Sequence, residues 1–249
     1  MALPSNFQYF IFYIIVGLVM KKHILIVGGS SGLGLDLAKL YIQEGHTVCI
    51  TGRHDPMLEG AMYCELNIDD NSRHLANGID QVIANFPAVN TLIYSAGFCQ
   101  RAHIDELSDA DIVTMTNVGL LAPMFLVQRL KNILEAPLKV ILVTSSSQYT
   151  PREMEPVYCA TKAGLGMFGA SLVRDKKIGK VLVVAPSGIK TTFWRDSDAN
   201  VSGMLATQWV ANQIVELSSG SFKYKFAKIL RNPERVEVEE CFDNNFESI

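Results

Sequence analysis

Ile24-Leu25-Ile26-Val27-Gly28-Gly29-Ser30-Ser31-Gly32-Leu33-Gly34 begins as a short apolar run and turns through glycine and serine. It leads into Leu35, Leu37, Ala38, Leu40 and Tyr41 at helical spacing. A buried strand, a glycine turn and a helix in that order is the layout that holds a dinucleotide pyrophosphate. Glycine allows the tight turn and lets the backbone approach phosphate. The helix N-terminus adds unpaired N–H groups and the positive end of its dipole. The spacing is G-x-x-x-G-x-G rather than G-x-G-x-x-G. A glycine-rich turn alone reads equally well as a flexible loop, and its position between strand and helix gives this one weight.

Outward from that turn, apolar runs at 24–27, 47–51, 62–65, 91–94, 140–144, 181–184 and 226–230 predict seven strands. Between them, helical patterns predict helices over 34–44, 71–85, 109–134, 157–174 and 208–218. Ser108-Asp109-Ala110-Asp111 supplies an N-cap and an acidic first turn for the third helix, and Pro123 is expected to bend it after Asn117. Continuously apolar strands alternating with helices predict an α/β fold: one Rossmann-type doubly wound domain, with a mostly parallel seven-stranded sheet and helices on both faces. Right-handed crossovers then bring the segments starting at Gly28, Ser95, Ser145 and Pro186 to one edge of the sheet.

Tyr158-Cys159-Ala160-Thr161-Lys162 is the second informative stretch. A four-residue step puts Tyr158 and Lys162 on one helix face. An ammonium there favours phenolate, which turns a tyrosine into a usable proton donor and acceptor. Such a pair is common on helix surfaces, and Ser145, thirteen residues upstream, makes it informative.

Together these motifs resemble a short-chain dehydrogenase/reductase. Val27 to Gly34 is similar to that family's cofactor turn, with Val27 in place of threonine. Tyr94-Ser95-Ala96-Gly97 resembles its N-N-A-G element, with Tyr and Ser replacing both asparagines. Asn117, Ser145, Tyr158 and Lys162 fill the positions of its catalytic tetrad, and Pro186-Ser187-Gly188-Ile189-Lys190-Thr191 resembles its P-G-x-x-x-T element with the glycine shifted by one. The likeness runs in order from Lys22 to Thr192 and is looser beyond. It implies a nicotinamide-dependent oxidoreductase acting on CH–OH and C=O groups. In that reading Tyr158 is the acid/base, Ser145 holds the substrate oxygen, and Lys162 tunes Tyr158 and holds the nicotinamide ribose. Asn117 would hold a water that connects Lys162 to solvent. The cofactor-binding set would be Gly28, Ser30, Ser31, Gly32, Leu33, Gly34, Arg53, Asn67, Ile68, Ser95, Ala96, Gly97, Tyr158, Lys162, Pro186, Gly188, Ile189 and Thr191.

The end of the second strand bears on which cofactor. An NAD site places Asp or Glu there for the ribose 2′-hydroxyl, and an NADP site places Arg near the 2′-phosphate. This chain reads Thr51-Gly52-Arg53-His54, so NADP(H) is the preferred cofactor and NAD(H) the alternative. The segment 193–208 holds Phe193, Trp194, Met204 and Leu205, an apolar lid that suits a hydrophobic carbonyl or alcohol substrate or simply packs on the domain.

A net charge of −3 with no basic block gives no sign of a nucleic-acid partner. The five scattered cysteines have no C-x-x-C spacing, which argues against a metal centre or a disulfide framework and for a reducing, cytoplasmic compartment. Residues 1–20 stand apart: the stretch 9–20 is apolar and is followed by Lys21-Lys22. It reads foremost as an upstream extension before a start at Met20. The alternative is a short membrane anchor through residues 7–20 that leaves the catalytic domain facing the cytoplasm, and the third reading is an added packing segment. Residues 21–249 form the single nucleotide-binding domain. Gly164, Gly166, Gly169 and Ala170, with Leu120, Phe125, Leu165, Met167 and Phe168, suggest helix pairing into a homodimer or homotetramer. Two other functional classes compete with the enzyme reading: a non-catalytic NADP(H)-binding sensor or scaffold, and a membrane-associated reductase of long-chain lipid ketones.

Overall fold

Alternation along the central strands decides the layering. In β1 (His23–Val27), Ile24 and Ile26 join one buried cluster, while Leu25 and Val27 join the other. β5 (Leu138–Val143) and β6 (Ile178–Pro186) repeat the pattern, with Ile141 and Leu182 on the first side and Val140, Leu142, Val181 and Val183 on the second. A sheet apolar on both faces must be covered on both. The computed structural model, which describes residues 21–195 and 199–243, shows how. One face is covered by α1 (Gly32–Gln43) and α6 (Thr207–Leu217), through Leu37, Ala38 and Tyr41 and through Val210, Ala211 and Ile214. The other is covered by α2 (Ser72–Asn85), α4 (Ala122–Ile133) and α5 (Pro156–Leu172), through Leu75, Ile79, Leu126, Leu130 and Leu165.

The remaining strands are β2 (Thr47–Gly52), β3 (Ala61–Glu65), β4 (Thr91–Tyr94), β7 (Tyr224–Leu230) and β8 (Arg235–Phe242). Their order is β3-β2-β1-β4-β5-β6-β7-β8, parallel throughout except for β8, which runs antiparallel to β7. The order reverses between β1 and β4, where chain leaves the two strands in opposite directions and a crevice opens at their C-terminal ends. Among the described residues the sheet therefore has eight strands where seven were expected. β8 follows Pro233 as Arg235-Val236-Glu237-Val238-Glu239, an alternating edge strand whose charges face solvent rather than a buried run.

The single helix expected over 109–134 is three pieces. α3 (Asp109–Thr116) opens with a capping box between Ser108 and Asp111. A π-helical turn, Asn117–Leu121, then adds a residue to the winding, and α4 continues with Pro123 at its second position. Because α4 continues directly from the π turn, Pro123 leaves the Val118 carbonyl without a helical donor, and the Tyr94 hydroxyl donates to it instead. The whole run of 25 residues is apolar enough to cross a membrane by composition, yet Met115, Leu126 and Leu130 are core residues. The apolar segment 1–20 lies outside the described residues.

Candidate active site

The turn after β1 is shaped by contact with the turn after β4. Gly28 has φ +82°, and a Cβ on it would sit 2.7 Å from the Ala96 backbone. Ser95 N–H donates to the Val27 carbonyl at 2.9 Å, and Gly29 N–H donates to the Thr51 carbonyl at 2.9 Å, which ties the ends of β4, β1 and β2 into one rim. Gly34 closes the motif, since a Cβ there would lie 2.2 Å from the Gly28 carbonyl oxygen. α1 has Ser31 at its N-cap in extended conformation, and no side chain caps its first N–H groups. Those donors face a crevice of about 880 Å³.

Every residue of the expected cofactor set lines this crevice: the glycine turn, Arg53, Asn67 and Ile68 after β3, Ser95 to Gly97, and Pro186, Gly188, Ile189 and Thr191 after β6. Ser145, Tyr158 and Lys162 line it as well. Ser145 caps a short 3₁₀ turn after β5, accepting from Ser147 N–H at 3.1 Å. Tyr158 and Lys162 come from the first turns of α5, whose Pro156 start fits a helix N-terminus.

Lys162 is buried and donates to the Val143 carbonyl at 3.2 Å, with its Nζ 5.6 Å from the centre of the Tyr158 ring. Burial pulls the Lys162 ammonium down to about 8. Burial likewise pushes the Tyr158 phenol above its ordinary value, and a hydrogen bond with Ser145 draws it partly back. Within this pocket desolvation dominates, and Cys99 and Glu155 push in the same direction, so the phenol is held above its ordinary value. That is the reverse of the direction the Tyr–Lys spacing alone suggests.

Asn117 is placed differently from these three. It is fully buried, its side-chain amide donates to the Asp69 carbonyl at 2.8 Å, and it is absent from the crevice wall. Its Oδ1 has no partner among the described residues. The backbone carbonyl of Asn117 is taken by Ala122 N–H, the bond that defines the π turn. Asn117 thus braces the loop after β3 from behind the wall.

The crevice also carries residues absent from the sequence reading. Glu155, the N-cap of α5, is 7% exposed. It accepts from the Ser147 hydroxyl at 3.1 Å and pairs with Arg101 at 3.5 Å and Arg152 at 3.6 Å. Arg152 also donates to Ser147 at 3.1 Å and to Ser146 at 2.9 Å. Ser145 donates onward to Ser147 at 3.3 Å, so the Tyr158–Ser145 pair is joined to Glu155 through one hydroxyl. The visible signal was the charged run Arg152-Glu153-Met154-Glu155 just ahead of Tyr158. Phe193 stands 5.9 Å from the Tyr158 ring and edge-on to Trp194 at 4.9 Å, while Leu205 belongs to the core rather than to a lid.

Comparison with known proteins agrees with this geometry. The family model for short chain dehydrogenase matches residues 22–202. The chain is 29% identical over 242 residues to the oxidoreductase DltE of Bacillus subtilis, covering 88% of this chain and 94% of that protein. It is 28% identical over 191 residues to the 3-oxoacyl-(acyl-carrier-protein) reductase of Bos taurus, covering 71% and 79%. Among solved structures, it is similar to a short chain dehydrogenase from Burkholderia cenocepacia in complex with NADP, with TM-score 0.66, 22% identity, and coverage of 80% and 91%. It is also similar to an alcohol dehydrogenase from the archaeon Thermococcus sibiricus complexed with 5-hydroxy-NADP, with TM-score 0.73, 17% identity, and coverage of 87% and 99%. At such identities these two likenesses speak to the fold. The family match spans most of the chain and falls on the strand–turn–helix that builds the crevice, so the chain belongs to the short chain dehydrogenase family of oxidoreductases, which bind nicotinamide cofactors.

Proposed function

We propose that the protein is an NADP(H)-dependent oxidoreductase interconverting a carbonyl compound and a secondary alcohol. The observation that carries this reading is the meeting of Ser145, Tyr158 and Lys162 on one wall of the crevice whose opposite end is the uncapped start of α1. The residues present fit a dinucleotide. The glycine positions leave room where side chains would collide, and the first N–H groups of α1 wait for an anion. Arg53 at the end of β2 supports the phosphorylated form of the cofactor.

When bound, the nicotinamide supplies hydride to the carbonyl carbon in reduction and accepts it in oxidation. The chain's own residues handle the oxygen. Tyr158, kept as a phenol by burial, donates its proton to the carbonyl oxygen as negative charge develops there. The Ser145 hydroxyl donates a hydrogen bond to the same oxygen. Lys162 carries its ammonium below about pH 8 and offsets the phenolate that Tyr158 becomes. Phe193 and Trp194 contribute apolar surface that excludes water beside Tyr158. In the same reading the enzyme works in the cytoplasm as a homodimer or homotetramer.

Replacing the phenol tests the proposal. Tyr158→Phe should lower kcat for reduction of a panel of ketones and aldehydes by about 10²- to 10⁴-fold, the usual worth of a positioned acid. NADPH binding, measured by fluorescence titration, should persist. Near-normal turnover by Tyr158→Phe would sink the mechanism.

A further inference from the structure

Glu155 stands at the N-cap of α5, yet its side chain caps nothing. A carboxylate in that place ordinarily accepts from the first free N–H groups of its own helix. This one turns into the wall of the crevice, where it is buried. It accepts from the Ser147 hydroxyl at 3.1 Å and pairs with Arg152 at 3.6 Å and with Arg101 at 3.5 Å. Burying the charge and forgoing the cap both cost stability, which points to a use for the bond to Ser147.

The hydrogens around Ser147 are directed by neighbours with a single capacity, because a carboxylate only accepts and a guanidinium only donates. The Ser147 hydrogen therefore goes to Glu155. Arg152 Nε fills one lone pair of the hydroxyl at 3.1 Å, and the other faces Ser145 Oγ at 3.3 Å. Ser147 also donates its backbone N–H to Ser145 Oγ at 3.1 Å, so it holds that oxygen from two atoms. The Ser145 hydrogen rests on the longer of these bonds and can turn from it to a substrate oxygen at small cost. Ser145 is hydrogen-bonded to Tyr158 on its other side. Ser147 lies two residues after Ser145, and Glu155 three before Tyr158. Their bond thus crosses from the 3₁₀ turn after β5 to the start of α5 and ties together the two segments that carry the reacting hydroxyls.

We propose that Glu155 is a positioning residue for the reaction: acting through Ser147, it holds Ser145 Oγ at the separation from Tyr158 that lets both hydroxyls meet one carbonyl oxygen. This rests on the reading of Tyr158 and Ser145 as the groups that receive that oxygen, and adds a group that acts at one remove from it. A brace of this kind matters because a small misplacement of a reacting group is costly in rate.

Glu155→Met keeps the volume of the side chain without an acceptor, and Glu155→Gln keeps an acceptor for Ser147. With NADPH and a ketone or aldehyde that the wild-type protein reduces, kcat should fall by about 10- to 10²-fold in Glu155→Met and by less in Glu155→Gln. The KM and Kd for NADPH should not change. Ser147→Ala leaves both arginines paired with Glu155; it should reproduce the loss in kcat, and it carries the same comparison if Glu155→Met does not fold. The decisive readout is coupling to Ser145. In a Ser145→Ala background, Glu155→Met or Ser147→Ala should cost less than about two-fold, because the group they position is gone. A carboxylate that only supports the fold would lower Tm and cost the same factor with or without Ser145, and that additive result would overturn the proposal. Near-normal kcat in both Glu155→Met and Ser147→Ala, with Tyr158→Phe inactive, would overturn it while leaving the reductase reading intact. Near-normal turnover by Tyr158→Phe would refute that reading, and the brace's role with it.

Discussion

Arg53 shows how much one position can be asked to decide. It is exposed at the end of β2 and lines the crevice beside Gly52, so its guanidinium is free to meet a 2′-phosphate and would find nothing to meet on NADH. Arg53→Ala should weaken NADPH by roughly 5- to 150-fold while NADH changes little, as fluorescence titration of both cofactors would show. Equal weakening of both would contradict the role. The reverse switch, installing an acid at Gly52, meets a steric obstacle. A Cβ on residue 52 would lie 2.0 Å from the Ser30 Oγ and 2.5 Å from its Cβ, so rotating the hydroxyl away does not clear it. Gly52→Asp therefore needs Ser30→Gly beside it, and only the pair should shift preference toward NADH. Ser145, Tyr158 and Lys162 were legible because a helical step and a fixed offset from the preceding strand are local facts. Glu155 and its arginines were not, because Arg101 reaches Glu155 from a loop more than fifty residues earlier in the chain. The direction of the Tyr158 titration escaped for a similar reason: burial is a property of the fold rather than of the Tyr–Lys spacing.

At the scale of elements, the π turn between α3 and α4 is compensated by a side chain 24 positions before the carbonyl that the turn leaves free. Ala122 N–H bonds the Asn117 carbonyl, and the next donor in that register would be Pro123, which has no N–H. The Val118 carbonyl is left without a helical partner, and the fully buried Tyr94 hydroxyl donates to it. Tyrosine at the start of the Tyr94-Ser95-Ala96-Gly97 element is thus matched to proline in the following helix. Tyr94→Phe strands a buried acceptor and should cost about 1–3 kcal/mol by chemical denaturation. Tyr94→Phe/Pro123→Ala, which restores an N–H, should recover part of that loss. Additive costs in the double-mutant cycle would refute the coupling. Most elements were readable to within two residues because their apolar patterns are strong. The π turn was not, since one extra residue in the winding leaves composition unchanged, and β8 escaped because an edge strand alternates rather than running apolar. The glycines expected to admit a neighbouring subunit meet this chain's own atoms instead: a Cβ on Gly169 would lie 2.6 Å from Val183, one on Gly166 2.4 Å from Gln148, and one on Gly164 3.2 Å from Leu120.

Across the whole molecule, the two ends of the sheet have divided roles. The C-terminal ends of the strands form the crevice, and the N-terminal ends gather lysines around the close of α6. Lys139 from β5 donates to the Ser218 carbonyl at 3.1 Å, Lys225 from β7 to Leu217 at 3.0 Å, and Lys180 from β6 to Gly220 and, at 3.5 Å, to Ser218. Lys180 and Lys225 each stand 4.2 Å from the centre of the Phe222 ring. Cations at a helix C-terminus meet the negative end of its dipole, which stabilises α6 against the sheet. The crowding carries a cost at Lys139, where burial first, and then Lys22, Lys180 and Lys225, pull its ammonium from 10.5 down to about 7 against the opposing pull of Glu44. Between those two values the unfolded chain holds a proton that the folded chain has released, so this residue makes stability rise with pH. Below about pH 7 both states are charged and the full cost of burying the ammonium remains. Lys139→Met should accordingly raise Tm at about pH 6.5, by roughly 2–4 °C for a gain of about 1 kcal/mol in a domain of this size. Lys180 still reaches the Ser218 carbonyl, so that acceptor keeps a partner in the variant. The advantage over wild type should shrink as the pH is raised toward about 9.5. An advantage that is constant with pH would mean that Lys139 is destabilising through packing rather than through its charge.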